Sequence, residues 1–426
     1  MKNVFLLTLS TFFVIFLSSC FKDKCVQTHT FVYYKPVYVT PEEYKIPVKL
    51  STVIPLENPG KIYYYKNYIL INELKKGFHI IDNSNPSDPQ KTGFIEIPGN
   101  VDMAVRNDVL YVDAFTDLLV IDIKDINNPS LIERKENAFE SLYFMDGSNR
   151  VLSHFEETPQ TVVMDCSDPR YKNGFYIEDN GGVFVDQSGF NGSVLSSNSS
   201  GAPQIGKAGS LARFAISKNH LYAVGDAEIF CLSLQNDGSI GQSNTVNLPW
   251  GIETIFPFKE YLFLGANNGL HILDIINPLT PVLRSTFSHA RACDPVVVDG
   301  DLAYVTLRTG AFACPGDLNA LQVIDVKDVN NPKLKHSYNM TGPQGLGIWG
   351  NQLYICEGNN GLKIFDKSDP STIDQNLIFH NKEIKVSDVI PVKENMLLAI
   401  GTDGFYQYDC SDVKNIVLLS KILVEK

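Results

Sequence analysis

A short phrase recurs along the chain, and this recurrence constrains the fold more than any other feature. The sequence NNGLHILDIINP begins at Asn267, and the closely similar NNGLKIFDKSDP begins at Asn359. Shorter versions are apolar runs that close at Asp82, Asp122, Asp165, Asp325 and Asp409. A degenerate copy, EIFCLSL, lies near Leu234. A phrase that recurs about every 40 residues indicates a single repeat architecture.

Each repeat unit has the pattern of four β-strands. In the second unit, VDMAV is followed by VLYVD, LLVIDI and SLIERK, with polar turns such as RND and KDINNP between them. Residues alternate at period two, and β-branched or aromatic residues are frequent, as is typical of strands. The Asp that closes the third strand is placed to form an Asx-type turn, and the following Pro cannot extend a sheet ladder. The repeated phrase therefore ends a strand.

Four strands in a unit of this length predict the blade of a β-propeller, so the fold class is all-β. Eight units begin near Ile54, Gly99, Phe139, Ser210, Trp250, Arg291, Gly342 and Ile384. Eight four-stranded blades are therefore the first prediction. Seven blades are the second, because the fourth unit is degenerate and the segment YKIPVKL near the N-terminus also has the pattern of a strand. A two-sheet solenoid is a further alternative, but no capping segment is evident.

The N-terminal residues have the pattern of a secretory signal. Lys2 precedes an apolar run over residues 4–17, which is too short for a stable membrane span, and small residues lead to Cys20. The motif LSSC resembles the lipobox of bacterial lipoproteins, in which this Cys is lipidated and becomes the first mature residue. The alternative is a soluble secreted protein that is cleaved near Ser19.

This reading predicts a signal peptide over residues 1–19 and a lipid anchor and tether over residues 20–44. Phe21 differs from the Asp that typically retains lipoproteins in the inner membrane, so the outer membrane is the favoured location. Several acyl chains hold a protein on a membrane much better than one does. The mature protein is therefore expected to be anchored to the membrane without spanning it, and to face either the periplasm or the cell surface.

The repeats also resemble a known family. The segments GFHIIDNSNPSDP, LLVIDIKDINNP and LQVIDVKDVNNP look like the LVIVD repeat of secreted and lipid-anchored bacterial proteins. With the lipobox, the chain is similar to the LVIVD-repeat lipoproteins of Bacteroidota. The resemblance implies one propeller over residues 45–426 at the cell envelope. It brings no established reaction and no agreed catalytic residues.

Charge and motif content argue against several functional classes. The net charge is −12, from 36 Lys and Arg against 48 Asp and Glu, and no basic run is long enough to follow a phosphate backbone. Nucleic acid is therefore not an expected partner. The chain lacks GxSxG, HExxH, P-loop and EF-hand patterns, and its His residues are scattered without metal-ligand spacing. Enzymatic activity is not favoured, although propeller enzymes can assemble a site from distant blades.

Propeller connectivity assigns the long interruptions to one face. We call the face where the innermost strands start the upper face, and the opposite one the lower face; the inter-blade loops also reach the upper face. Insertions at residues 179–209 and 308–319 both fall there. Long loops in a compact fold are often functional, but surface insertions are also tolerated at small entropic cost. Cys293 and Cys314 lie at this face in one blade, and we predict a disulfide between them.

One position of the innermost strand is expected to bring acids to the upper mouth of the central channel. Aligning the units on their second strands places in register Gly60, Asp102, Arg213, Glu253, Asp294, Gly345 and Asp388, with Glu140 nearby in the third unit. Such carboxylates suit calcium, a polyhydroxylated ligand or a cationic ligand. Trp250 is placed to stack on a sugar ring or to pack in the fold. The alternative is that each acid accepts hydrogen bonds from inter-blade amides.

The sequence therefore favours a non-catalytic binding or scaffold module that is tethered to the outer membrane and presents its upper face to an envelope protein or a glycan. The candidate ligand-binding residues are Asp102, Arg213, Trp250, Glu253, Asp294 and Asp388. The alternative function is a glycan-directed hydrolase or lyase that uses paired acids at the channel mouth. A purely structural envelope protein is the third hypothesis. No cofactor is predicted, with calcium as the one exception left open.

Overall fold

The computed structural model is almost entirely β-structure and divides into two compact units. The smaller unit combines Met1–Val37 with His154–Gly192, and the larger combines Tyr38–Ser153 with Ser193–Lys426. The described residues are 26–165, 171–172, 175–177, 183–186, 207–289, 292, 295–309, 318–392 and 395–425. Within these ranges, no helix has the length and hydropathy that a membrane span requires.

The first strands lead into two complete blades. The N-terminal elements are strand β1 (Val26–Val39), helix α1 (Pro41–Tyr44) and strand β2 (Leu50–Ser51). Blade 1 consists of β3 (Pro59–Tyr65), β4 (Tyr68–Glu73), β5 (Gly77–Asp82) and β6 (Gln90–Glu96). Blade 2 consists of β7 (Met103–Arg106), β8 (Val109–Ala114), β9 (Asp117–Asp122) and β10 (Ser130–Lys135).

The chain then leaves the repeat pattern before it returns to it. A 3-10 turn at Glu140–Leu142 is followed by a run of strands. These strands are β11 (Val151–Asp165), β12 (Tyr171–Lys172), β13 (Phe175–Ile177), β14 (Val183–Asp186) and β15 (Lys207–Ala208). Strands β11 to β14 form a five-stranded sheet with β1, in the order β11-β1-β14-β13-β12.

Five further blades follow without interruption of the strand order. Blade 3 is β16 (Phe214–Ser217), β17 (His220–Val224), β18 (Glu228–Leu234) and β19 (Ile240–Asn247). Blade 4 is β20 (Ile252–Phe258), β21 (Tyr261–Ala266), β22 (Gly269–Asp274) and β23 (Val282–Ser288). Blade 5 is β24 (Val296–Asp299), β25 (Leu302–Leu307), β26 (Ala320–Asp325) and β27 (Lys333–Asn339).

The last two blades complete the larger unit. Blade 6 is β28 (Leu346–Trp349), β29 (Gln352–Cys356), β30 (Leu362–Asp366) and β31 (Leu377–Asn381), with a 3-10 turn at Ile373–Gln375. Blade 7 is β32 (Asp388–Pro391), β33 (Met396–Gly401), β34 (Gly404–Asp409) and β35 (Val417–Leu423). In every blade, neighbouring strands are antiparallel and follow the chain order.

Apolar side chains pack between neighbouring blades, and this packing closes the ring. Each adjacent pair of blades shares a buried cluster of aliphatic and aromatic residues. The closing cluster joins Ile62 and Ile69 of blade 1 to Ile390 and Leu398 of blade 7. The unit is therefore a β-propeller with seven blades in the described part of the chain.

The repeated Asp acts as a strand terminator, as the sequence predicts. At the end of β5, the Asp82 Oδ1 atom accepts the Ser84 amide at 2.8 Å. The same Asx-type bond, from the amide two residues ahead, recurs at Asp122, Asp274, Asp325, Asp366 and Asp409. Because the third strand of each blade runs from the upper to the lower face, these turns lie on the lower face.

The prediction of eight blades is wrong, and the second choice of seven is confirmed. The unit expected to begin near Phe139 does not form a blade, because the phrase that ends at Asp165 lies in β11, which adds to the sheet of β1. Phe139 instead packs between blades 2 and 3, with its ring centroid 5.2 Å from that of Phe230. The strand-like segment near the N-terminus contributes β2, which pairs with the outer strand of blade 1.

Candidate functional site

The predicted ring position of blade 2 is a buried link between three blades. Asp102 is 2% exposed and precedes β7. Its Oδ2 atom accepts a hydrogen bond from the Lys61 ammonium of blade 1, with 2.7 Å between Nζ and Oδ2. The same atom accepts the amides of Arg213 at 2.7 Å and Phe214 at 3.0 Å, where blade 3 begins. Asp102 therefore fits the structural alternative, in which a repeat-position acid binds inter-blade amides.

A second buried carboxyl group, that of Asp113, binds the backbone on which Asp102 is carried. The Asp113 Oδ1 atom accepts the amides of Val101 at 2.8 Å and Asp102 at 2.9 Å, and the side-chain amide of Asn100 at 2.8 Å. Burial raises the pKa of Asp113 to about 6, although the two backbone amides oppose this shift. Burial also lowers the pKa of Lys61, against the attraction of Asp102. The boundary between blades 1 and 2 at the upper face therefore holds a buried cluster of ionisable groups.

Asp388 of blade 7 is also enclosed. It is 2% exposed, and its Oδ1 atom accepts the amides of Val389 at 2.9 Å and Ser210 at 3.2 Å. Glycines press against both of its oxygens: a Cβ atom on Gly209 would lie 1.9 Å from Oδ2, and one on Gly345 would lie 2.4 Å from Oδ1. Only residues without a side chain fit at these two positions, so the backbone walls the carboxylate off from the channel.

Arg213 is held along its own blade. Its Nε atom donates to the Val224 carbonyl at 3.1 Å, and its Nη2 atom donates to Asp226 at 3.0 Å. The side chain is half-buried, while Asp226 is exposed. The backbone of Arg213, and not its guanidinium, is therefore the group that contacts Asp102.

The upper rim of blade 4 presents a different environment. Trp250, two residues before β20, is 60% exposed, and Glu253 is half-buried within that strand. Gly251 has a φ of 101° and lies against Asn267, whose buried Oδ1 atom has no hydrogen-bond partner among the described residues. Arg308 of blade 5 interacts with the Glu253 charge, and burial lowers the pKa of this arginine. The upper rim of blade 4 therefore carries an exposed indole, and the Glu253 and Arg308 charges interact at the same rim.

Several predicted residues lie outside the described part of the chain. These are Cys20, Cys293, Asp294 and Cys314, so lipidation, the disulfide and one ring acid stay predictions. Most of the two insertions lies outside as well. Within the described ranges, no group of three or more His, Cys, Asp or Glu side chains is arranged to hold a metal ion.

A short segment inside the central channel was not anticipated from the sequence. Strand β15 pairs antiparallel with the innermost strand of blade 1, with Ala208 opposite Tyr63. The segment continues to Ser210, whose amide donates to Asp388 of blade 7 and whose Oγ atom accepts the Leu346 amide of blade 6 at 2.7 Å. The final residues of the 179–209 insertion are therefore built into the channel. No local pattern signals this, because each partner is distant in sequence.

Beside this segment the channel contains a cavity of about 540 Å³. Gly209 and Ser210 form its upper wall, and the sides are residues of β24, β28 and β32 together with Phe256 of blade 4. Asp299 lies at its lower end and pairs with Lys367 at 2.6 Å. This volume is typical of small-ligand sites in proteins. The cavity therefore lies along the inner strands of blades 5 to 7, and the described residues of the predicted acid ring do not line it.

Comparison with known families identifies the repeat. The LVIVD repeat model matches residues 60–94, 259–288, 290–340 and 344–379. The chain contains LVIVD repeats. The matches cover blade 1, three strands of blade 4, blade 5 and most of blade 6, so each repeat corresponds to a blade. No curated protein matches the chain.

Solved structures resemble the chain at low identity. The computationally designed Ika8 protein is 10% identical with a TM-score of 0.48, over 88% of this chain and 90% of that chain. A functionally unknown protein from Desulfotomaculum acetoxidans DSM 771 is 10% identical with a TM-score of 0.46, over 85% and 95%. Saccharomyces cerevisiae Sqt1 is 12% identical with a TM-score of 0.46, over 89% and 100%. At this level of similarity the likenesses carry no functional information.

Proposed function

We propose that this LVIVD-repeat propeller is a non-catalytic binding module, anchored by a lipid on Cys20 to a bacterial outer membrane, whose upper face docks an envelope protein or a glycan. The observation that carries the proposal is the 60% exposure of Trp250 at the upper rim. Tryptophan is enriched among the residues that dominate binding energy at interfaces, and its flat ring also stacks on sugars.

The surroundings of Trp250 support recognition. The buried Oδ1 atom of Asn267 has no hydrogen-bond partner within the described ranges, and Glu253 and Arg308 lie at the same face. A few polar groups beside an aromatic surface are the usual composition of a site that orients a ligand. The contacts of Asp102 and Asp388 favour this proposal over the hydrolase or lyase alternative, because both carboxylates are buried in inter-blade or backbone bonds.

The proposal is tested by capturing the full-length lipoprotein from its own cells after mild cross-linking. Three forms are compared: the unaltered protein, Trp250→Ala and Ile276→Ala. Ile276 is the matched control, since it is 72% exposed in a lower-face turn. We expect a stoichiometric partner or glycan with the unaltered protein and with Ile276→Ala, and at least a tenfold loss with Trp250→Ala. Equal recovery from both variants would contradict the upper-face site.

The anchor is tested separately. Replacement of Cys20 by Ser removes the thiol that carries the lipid, so the protein is expected to move from the membrane fraction to the soluble fraction. A Cys25→Ser variant controls for loss of a nearby cysteine and is expected to stay with the membrane. Retention of the Cys20→Ser variant in the outer membrane would show that the lipid is not the anchor.

A further inference from the structure

The innermost strand of a blade has one edge that faces the channel, and in blade 1 that edge is occupied. Strand β15 pairs with it through Lys207 opposite Tyr64 and Ala208 opposite Tyr63. Backbone groups at a strand edge can bind any extended segment that offers a complementary ladder. The chain itself therefore shows that a short extended peptide fits along an inner edge of this channel.

The corresponding edge of blade 6 opens onto the cavity. Among the described strands, β28 pairs with β29 alone, and its other edge faces the channel. The Gly345 carbonyl accepts the Cys356 amide at 2.9 Å, whereas the next residue, Leu346, donates its amide inward to Ser210. Because successive residues of a strand direct their backbone groups to opposite sides, Ile348 is the next residue whose N–H and C=O point into the cavity.

The charges around the cavity distinguish the two ends of a peptide. Its lining, as far as the chain is described, includes the Asp299 carboxylate and no Lys or Arg. At the lower end Asp299 pairs with Lys367, and at the upper end Asp388 lies directly behind Gly209. The potential at the upper wall therefore favours a positive group over a carboxylate.

We infer that this cavity binds the amino-terminal residues of an extended peptide, which enters from the lower face and adds as a strand to the inner edge of β28. Ser210 bridges blades 6 and 7 across the upper end, so a chain end fits where a continuous chain does not. Strand β28 has four residues, and about three or four peptide residues pair along such a length. With its ammonium at the upper wall, the peptide runs parallel to β28.

A phage-displayed library of random dodecapeptides with free amino termini tests this inference on the detergent-solubilised full-length protein. Selected peptides are synthesised, and their dissociation constants are measured by calorimetry. We expect acetylation of the amino terminus to weaken binding at least tenfold, and amidation of the carboxyl terminus to change it less than twofold. Failure to select any peptide, or equal affinity of acetylated and free forms, overturns the inference.

Ile348→Pro locates the peptide. Proline removes the inward N–H, and blade 7 already has Pro391 at the equivalent position of β32. We expect about a tenfold loss of affinity, the scale of one hydrogen bond, with Ile348→Val as the matched control that keeps the N–H. If Ile348→Pro does not fold, Asn351→Trp, in the exposed turn at the cavity rim, replaces it and is expected to reduce affinity at least tenfold. Unchanged affinity in the folded variant overturns the inference.

Trp250→Ala separates this site from the upper-face site. Trp250 does not line the cavity, so we expect this variant to bind the selected peptides within twofold of the unaltered protein. A tenfold loss with Trp250→Ala and none with the Ile348 variants would place the peptide on the upper face and overturn the inference for the channel.

Discussion

Lys61 of blade 1 and Asp102 of blade 2 form a buried ion pair, with 2.7 Å between Nζ and Oδ2 and both side chains 3% exposed. The pair stands where two blades meet at the upper mouth, and Asp102 extends it to the first amides of blade 3. Removing one partner of such a pair leaves an uncompensated buried charge. Asp102 occupies the position that the alignment of the repeat units assigns to ligand binding, and its contacts join three blades of the ring.

We expect Lys61→Met to lower the free energy of unfolding by about 3 kcal/mol, because Asp102 loses its counter-charge in a buried site. Lys66→Met is the matched control, because Lys66 pairs with Asp108 across the same boundary between blades 1 and 2. The Lys66 side chain is 58% exposed, so its loss is expected to cost less than about 1 kcal/mol. Urea unfolding at pH 7 measures both values. Equal costs would mean that Asp102 is satisfied by backbone amides alone.

Asp113 is expected to make stability depend on pH. Its pKa rises from 3.8 to about 6 on folding, so the folded state holds this proton more tightly than the unfolded chain. The resulting stabilisation is fully present below pH 3.8 and is lost as the pH rises through about 6. Asp113→Asn keeps the acceptor oxygen without the charge. At pH 7.5 we expect urea unfolding to give this variant a free energy of unfolding about 1–3 kcal/mol higher than that of the unaltered protein.

At pH 4 the gap between Asp113→Asn and the unaltered protein is expected to close. Asp113→Ala is the control, because it removes both the charge and the acceptor of the Val101 and Asp102 amides. It is expected to be less stable than Asp113→Asn at both pH values. An Asp113→Asn variant that is no more stable than the unaltered protein at pH 7.5 would show that Asp113 is not protonated more readily on folding.

Ser210→Ala is expected to loosen the channel segment. The substitution leaves the Leu346 amide without its acceptor in a buried position, at a cost of about 1–3 kcal/mol. Ser233→Ala is the control, since the Ser233 hydroxyl donates to the Gln242 carbonyl at an exposed position. Hydrogen exchange should report faster exchange of the Leu346 amide in Ser210→Ala alone. Unchanged exchange would argue that the segment does not close the channel.

The seven-bladed ring is expected to fold without the smaller unit. A variant that lacks residues 1–37 and carries a flexible linker in place of residues 154–192 retains every strand of the seven blades. We expect it to keep one cooperative unfolding transition. Deletion of blade 3, residues 214–247, removes two inter-blade cores and is expected to abolish that transition. If both variants lose cooperativity, the smaller unit is part of the ring's folding unit.

The repeat phrase was sufficient to predict the propeller, because each copy carries its own terminator in the form of an Asx-type turn. The blade count failed at Asp165. An apolar run that ends in Asp reads the same in a blade and in β11, and only the pairing with the distant β1 distinguishes them. Strand pairing over such separations depends on tertiary context that a local pattern does not contain.

The site was predictable to a similar extent. The alignment located Asp102 and Asp388 at the starts of innermost strands, and the structural alternative described their bonds to backbone amides. The sequence does not indicate the role of Lys61, because its partner Asp102 lies in the next blade, 41 residues away. The cavity could not be foreseen, since its upper wall is the end of an insertion that enters the channel.

The most direct test of the central claim is photo-cross-linking from the two faces of the full-length protein in its own cells. Benzoylphenylalanine is placed at position 250 on the upper rim and, in a second strain, at position 276 in a lower-face turn. We expect a light-dependent adduct of defined mass from position 250 and only background from position 276. An adduct from position 276 alone, or none from position 250, would contradict a binding module that works through its upper face.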